Sequence, residues 1–193
     1  MTTLLPMVMF ALIASITPGP VNLIATASAA NFGYQRTLPH ILGATIGFCL
    51  ILILMGLGSS SILIDSPVVN GLLTAVGGVF LMYTAYKIAF APVVGESEGL
   101  GVPPKFYSGF LCQWLNPKAW IVALSGIAVF VPDGGLAILY FVMAFFAACF
   151  LSISAWALMG VSIQGLLKTP SISRGFNRVM GGLLAVLVVY ILL

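Results

Sequence analysis

The chain has 193 residues, of which 61% are hydrophobic and only 6% are charged, and its mean hydropathy is +1.20. A water-soluble domain carries about 25% charged residues, so the composition excludes a soluble protein and predicts an integral membrane protein. The formal net charge of +3 then describes how cations are distributed among the connections, and it does not indicate an acidic partner.

Six apolar runs are long enough to cross a hydrocarbon core of about 30 Å, which takes roughly 20 helical residues. In chain order they are Leu4 to Ala30, Pro39 to Leu63, Val68 to Ala91, Phe106 to Val131, Leu136 to Leu158 and Phe176 to Leu193. The pattern predicts an all-α fold, a polytopic bundle of six membrane helices. The stretch from Ile163 to Gly175 is expected to be a short piece lying on the surface.

The first and fourth runs are each interrupted by helix-breaking residues. The interruptions comprise Thr17, Pro18, Gly19, Pro20 and Asn22 in the first run, and Asn116, Pro117 and Lys118 in the fourth. A proline frees main-chain polar groups, and in lipid these groups need another partner. Broken helices in corresponding places are typical of a transporter site for a small polar solute, so we predict that these residues form a substrate site. A plain proline kink, which membrane helices tolerate, is the alternative.

Lys118 is the one formal charge that lies away from the connections. A cation near the bilayer centre costs roughly 2.5 to 3.5 kcal/mol, and all four acidic residues, Asp65, Glu96, Glu98 and Asp133, lie in connections. We therefore expect Lys118 to bind the carboxylate of a zwitterion, while carbonyls freed by the breaks accept from the ammonium group of the zwitterion. A lysine that snorkels to one interface, or that clamps the break, is the alternative.

The two asparagines of the interruptions have two possible roles. Asn22 and Asn116 can each donate and accept hydrogen bonds. They either cap the broken helices or contact the solute, and the sequence leaves both roles open. Thr17 and Gln113 are lesser candidates of the same kind.

The distribution of cations predicts the orientation in the membrane. The cations belong to the first, third and fifth connections, and they are Arg36, Lys87, Lys105, Lys168, Arg174 and Arg178. Cationic connections stay cytoplasmic, so the linker 92–105 is expected in the cytoplasm and both termini outside, unless the first run is re-entrant. Residues 1–193 then form a single membrane domain in which 1–91 and 106–193 are three-span halves of inverted orientation.

No group of residues predicts a catalytic site, a metal site or a cofactor. Cys49, Cys112 and Cys149 lie in apolar runs without metal-ligand spacing and are interpreted as packing residues. His40, the single histidine, lies at the expected cytoplasmic start of the second span, which favours a solvated ring over a proton relay. The expected partners are membrane lipid and a small-molecule solute, with no nucleic acid, and the formation of a homodimer stays open.

Three other functions were weighed against a solute carrier. A metal-ion exporter needs hard oxygen ligands in the membrane, and the runs contain no carboxylate. An intramembrane serine protease has a candidate in Ala123-Leu124-Ser125-Gly126 but needs a general base beside the serine, and His40 is expected near the surface. A structural membrane subunit that transports nothing would not require two matched breaks.

The motifs together resemble the LysE/RhtB family of amino-acid exporters. The resemblance rests on the two interruptions, the turn Asn31-Phe32-Gly33, the pair Gly43 and Gly47, and Gly109-Phe110 followed by Leu115-Asn116-Pro117-Lys118. Length, span number and the central linker are also similar. The resemblance implies export of amino acids or close derivatives across a bacterial inner (plasma) membrane against a proton gradient, and we expect alternating access around the two breaks.

One position departs from the family pattern. Many members carry an acidic residue just after the second glycine of the second span, where this chain has Phe48. Either export is not coupled to protons, or the coupling proton uses His40, water or the titration of the substrate itself, and the sequence leaves these possibilities open.

Overall fold

The computed structural model describes residues 4–59, 67–91, 102–131 and 135–192. Every regular element in these ranges is helical, which confirms the predicted all-α class. The α-helices are α1 (Leu4–Ile16), α2 (Pro20–Phe32), α3 (Tyr34–Leu54), α4 (Pro67–Ala89), α5 (Phe106–Trp114), α6 (Pro117–Phe130), α7 (Leu136–Ser162) and α8 (Pro170–Leu192). A π-helical turn, Met55–Ser59, continues α3, and a 3-10 turn, Leu166–Lys168, precedes α8.

Three helices in the described ranges are long and apolar enough to cross a membrane. They are α3 with its extension to Gly58, α7, and α8 as far as Tyr190. The pair α1 and α2, which is bent by 58°, adds a fourth if it counts as one span. Helix α6 and the segment Ala75–Ala89 of α4 are apolar but shorter. The described part therefore contains three to four candidate membrane spans, as a multi-pass membrane protein requires.

Two helix boundaries differ from the prediction. Helix α3 begins at Tyr34, so Pro39 lies inside the helix and not at its start. The reason is Gly33, whose φ of 85° completes the turn after α2 at once, as glycine does at the end of a helix. Helix α8 begins at Pro170 and not at Phe176, because a proline is well suited to the first position of a helix.

Some predicted features lie outside the described residues. These are positions 92–101 of the linker and all four acidic side chains.

Helices α3 and α7 pack against each other. Helices α1 and α2 also pack against α7, α5 also packs against α3, and α4 packs against α8. Glycines permit the close approaches, since a Cβ on Gly43 of α3 would overlap the Phe106 carbonyl, and one on Gly160 of α7 would overlap the Thr26 carbonyl. In lipid such close contacts supply the van der Waals attraction that joins helices. This packing holds the ends of α1, α2, α5 and α6 near one another.

Candidate functional site

The first break separates α1 from α2. Helix α1 ends at Ile16 and α2 begins at Pro20, with Gly19 in an extended conformation between them. The side chain of Asn22 reaches back across the break, and its Nδ2 donates to the carbonyls of Ser15 and Thr17, both at 3.0 Å. The predicted break is therefore confirmed, and Asn22 stabilises its conformation.

The second break separates α5 from α6. Helix α5 ends at Trp114 and α6 begins at Pro117. Asn116 is the N-cap of α6, since its Oδ1 accepts from the main-chain amide of Lys118 at 3.1 Å. Such a cap stabilises a helix by about 1 kcal/mol. The predicted break is confirmed here too, and its asparagine caps the helix that follows.

The two breaks meet in the folded chain. The Nζ of Lys118 donates to the Oγ1 of Thr17 at 2.8 Å, although the residues are 101 positions apart. The same Nζ lies 3.9 Å from the place where a Cβ on Gly19 would stand. The ammonium group of Lys118 therefore lies beside the N-terminus of α2.

A cavity of about 50 Å³ lies where the breaks meet, and it has room for roughly three or four water molecules. The predicted site residues that line it are Thr17, Gly19, Asn22, Asn116 and Lys118, and Gln113 lines it as well. The remaining predicted residues, Pro18, Pro20 and Pro117, form the breaks but are not part of the lining.

Several polar groups around this cavity have no partner among the described residues. The Oδ1 of Asn22 and the side-chain amide of Gln113 belong to buried residues but take part in none of the hydrogen bonds of the described ranges. The main-chain amides of Val21 and Asn22, in the first turn of α2, also donate to no described acceptor. Buried polar groups are normally paired, so the cavity offers these groups to water or to a solute.

The electrostatics of the site favour an anion. Lys118 is the second residue of α6, where the helix dipole is positive and a cation is unfavourable. It also lies beside the N-terminus of α2, which carries a second positive dipole end. Because no described residue supplies a carboxylate here, the three positive features lack a counter-ion within the part of the chain that the structure describes.

The acceptors for an ammonium group include side-chain oxygens as well as the expected carbonyls. The carbonyls near the breaks already accept from side chains: Ser15 and Thr17 from Asn22, Ile16 from the Nε1 of Trp156 at 3.0 Å, and Trp114 from the Nε1 of Trp120 at 2.7 Å. Each of these carbonyls has a second lone pair, so they stay candidates for a solute's ammonium group, and the side-chain oxygens of Asn22 and Gln113 are further candidates.

No sequence motif indicates the rest of the lining. Ser15, Phe145 and Cys149 line the cavity with Phe48, and the Oγ of Ser15 lies 3.3 Å from the Sγ of Cys149. Cys149 was interpreted as a packing residue, and Phe48 was noted only as a departure from a family pattern. These residues come from three helices, so no local motif could have identified them together.

His40 is not solvated, and that prediction was wrong. Its side chain is fully buried, at 0% exposure, because the close contact of α3 with α5 covers it. Its Nδ1 lies 3.2 Å from the Oγ of Ser108. Its buried Nε2 makes no hydrogen bond of good geometry among the described residues, and the main chain of Val21 lies close to the ring.

The geometry does not support a serine protease. Ser125 lies on the exposed side of α6, and the imidazole that could serve as its base contacts Ser108 instead. Gly126 has a packing role, since a Cβ there would overlap the ring of Phe141. The serine and glycine are therefore not a nucleophile motif.

A helical membrane protein whose two broken helices enclose a polar cavity has the architecture of a solute carrier. The comparison with known families agrees, because the model of the LysE type translocator family matches residues 12–193. The chain belongs to this family, so it is a translocator and not an enzyme, and the resemblance noted in the sequence is confirmed.

The chain is also similar to individual efflux proteins, at modest sequence identity. The cysteine/O-acetylserine efflux proteins of Escherichia coli (strain K12) and Shigella flexneri are each 28% identical over 191 residues, which cover 94% of this chain and 91% of the relative. No solved structure matches the chain.

Proposed function

We propose that this translocator exports amino acids or close derivatives from the bacterial cytoplasm across the inner membrane by alternating access. Its family and the efflux proteins similar to it support this direction and this class of substrate. The observation that carries the proposal is the contact between the breaks, in which Lys118 lies 2.8 Å from Thr17 beside a cavity without a described carboxylate.

In this proposal the substrate carboxylate supplies the missing counter-ion. It binds the Nζ of Lys118 and the free amides of Val21 and Asn22 at the start of α2, where the helix dipole favours negative charge. Thr17 holds the ammonium group of Lys118 in place while the site is empty. A charged group bound in this way replaces water without leaving the lysine unpaired in a largely apolar surrounding.

The substrate ammonium binds the two free amide side chains. The Oδ1 of Asn22 and the Oε1 of Gln113 both accept, and neither has another described partner. The Nδ2 of Asn22 is already held by two carbonyls, so its Oδ1 is fixed toward the cavity. These acceptors are neutral, and the site has one lysine. A substrate with one carboxylate and one ammonium group therefore has a partner for each of its charges.

The pairing of helices supports two inverted halves, 1–91 and 106–193, joined by the linker 92–105. The broken segment of each half packs against the long helix that follows the break in the other half: α1 and α2 against α7, and α5 against α3. The last helices of the halves, α4 and α8, pack together. Exchanging the halves preserves these pairings except at α6, which makes few contacts with α3, and inverted repeats around a central site would have such pairings.

The proposal includes proton coupling through His40. The hydroxyl of Ser108 lies 2.7 Å from the carbonyl of Lys105 and 3.2 Å from the Nδ1 of His40. In the tautomer with the proton on Nδ1, the lone pair is on the buried Nε2, in a ring that also lies close to the main chain of Val21. This nitrogen can accept a proton in a chain whose spans have no carboxylate. In the proposed cycle, movement of α3 against α5 exposes it to solvent, so that it can take up or release the proton.

Replacing His40 by Gln tests the coupling separately from substrate binding. In proteoliposomes, uphill amino-acid movement driven by an imposed pH gradient should be lost in this variant, while exchange of internal for external amino acid continues. Uphill movement at the wild-type rate in His40→Gln would assign the proton to water or to the substrate.

The proposed function is tested by flux without choosing the substrate in advance. Overproduction in a bacterial host should raise one or more amino acids in the medium, and the purified chain in vesicles should exchange the same compounds. A cytoplasmic signal from a reporter fused within 96–100 is expected for the orientation. If no amino acid or derivative moves in cells or vesicles, the proposal is wrong.

A further inference from the structure

One part of the cavity wall has a different chemistry from the breaks. We call it the selectivity wall, and it consists of Ser15 of α1, Phe48 of α3, and Phe145, Cys149 and Ile153 of α7. All but Ser15 are buried. The proposed carboxylate and ammonium partners lie on the broken helices, so this wall is left for the side chain of a substrate.

The charges of the lining restrict that side chain. Lys118 is the one charged residue among the described residues that line the cavity, and in the proposed function it is occupied by the α-carboxylate. A cationic side chain finds no carboxylate, and the amide oxygens of Asn22 and Gln113 are already occupied by the α-ammonium in the proposed function. An anionic side chain finds no second cation. An unpaired charge in such a surrounding is strongly unfavourable, so both kinds of side chain are rejected.

The aromatic residues restrict its length. The rings of Phe48 and Phe145 lie 5.0 Å apart between centroids, and Phe145 also contacts Phe141 at 4.9 Å and Phe10 at 6.0 Å. Because Phe145 is fixed by three rings, the wall cannot retreat without repacking the core. The cavity of about 50 Å³ is partly open elsewhere, so the limit on length applies on the side of the wall, where the rings leave little room beyond the zwitterion.

Ser15 and Cys149 supply the hydrogen-bonding groups of the wall. Their side chains lie 3.3 Å apart, and either can be the donor. A hydroxyl and a thiol can each donate and accept, so the pair can exchange its internal contact for one with a short hydroxyl, thiol or ester group.

We propose that the selectivity wall restricts transport to small uncharged amino acids, with Phe48 as the residue that limits side-chain length. This inference rests on the proposed function, since it assigns the charged ends of the substrate to the broken helices. Phe48 is the better candidate for the limit because Phe145 is held by more neighbours.

The test uses the purified full-length chain in vesicles loaded with unlabelled serine, with labelled serine outside. Excess external serine should abolish uptake of the label, whereas leucine and lysine at the same concentration should leave it nearly unchanged. Removing Phe48 in the Phe48→Ala variant should improve competition by leucine relative to serine by roughly tenfold, the effect of about one methylene in a closed pocket, and lysine should still fail.

Phe150→Ala is the matched control, because Phe150 is a half-buried phenylalanine of α7 outside the cavity lining. Its ratio of leucine to serine competition should equal that of the wild type. An equal gain of leucine competition in both variants would mean that core loosening, and not Phe48, changes selectivity.

A second measurement avoids the risk that Phe48→Ala fails to fold. With Cys49 and Cys112 replaced by alanine, a small methanethiosulfonate reagent can modify only Cys149, and mass spectrometry follows the reaction. Serine should slow the modification several-fold, and lysine should not.

The possible failures are distinguishable. If the wild type exchanges no amino acid, the proposed function fails and the selectivity wall fails with it. If the wild type exchanges lysine or leucine as readily as serine, or if serine leaves Cys149 unprotected, the selectivity wall is wrong while amino-acid transport stands.

Discussion

The two breaks have the same cause but different outcomes. At the first break, Asn22 reaches backward to the carbonyls of α1, and the first amides of α2 stay free. At the second break, Asn116 caps α6 by accepting from the amide of Lys118. One break therefore offers main-chain donors to the cavity, whereas the other closes its main chain and supplies a charged side chain.

The comparison shows that similar sequence motifs need not have similar roles. Both motifs contain proline and asparagine, yet only the asparagine of the first break has its Oδ1 left for a ligand. We assign substrate contact to Asn22 and a structural role to Asn116, which separates the two roles that the sequence had left open.

The largest expected effect comes from removing the charge at the second break. Lys118→Met should reduce exchange at least 100-fold, because the carboxylate loses its cationic partner. Lys105→Met removes an exposed lysine from the start of α5 and should transport normally at equal abundance in the membrane. Full activity of Lys118→Met would contradict the assigned role.

A smaller effect separates the two asparagines. Asn22→Ala removes two hydrogen bonds, to the Ser15 and Thr17 carbonyls, at about 1 kcal/mol each, and it also removes the ammonium acceptor. Asn116→Ala loses only a helix cap, at about 1 kcal/mol. Thermal unfolding in detergent should therefore rank Asn22→Ala as less stable.

Exchange activity also distinguishes Asn22 from Asn116. Asn116→Ser keeps a capping oxygen without adding a charge and should retain most of the exchange activity, whereas no substitution of Asn22 that lacks its amide should do so. Equal loss of exchange in Asn22→Ala and Asn116→Ser would contradict the division of roles.

The smallest expected effect is at the contact between the breaks. Thr17→Val keeps the shape of the side chain but cannot accept from Lys118, so the apparent KM should rise several-fold with little change in maximal exchange. Thr17→Ser keeps the hydroxyl and serves as the control. An unchanged KM in Thr17→Val would show that Thr17 does not orient the lysine.

Much of this architecture could be predicted from the sequence because lipid constrains it strongly. Apolar length predicted the helices, and the prolines at positions 18, 20 and 117 predicted where two of them break. Lys118, in the middle of the fourth apolar run, predicted a polar site, since a charge among apolar residues needs a partner. These signals depend on residues that are close together in the sequence, so they do not require knowledge of which helices become neighbours.

The remaining features depend on tertiary contacts. His40 lies near a helix start, which indicated exposure, but the glycine-mediated approach of α3 to α5 buries it. Trp120 and Trp156 satisfy carbonyls at the breaks, and Cys149 lines the cavity. None of these could be derived from spacing along the chain, because the partner in each case depends on how separate helices pack.

The central claim is that Lys118 binds the carboxylate of the substrate. The most direct test compares serine with serine amide, which lacks that carboxylate, as competitors of labelled serine exchange in the wild type and of residual labelled serine binding in Lys118→Met. We predict that the wild type prefers serine by at least 100-fold and that the preference falls at least tenfold in Lys118→Met, where only the amides at the start of α2 still favour a carboxylate. An undiminished preference for serine in the variant would contradict the claim.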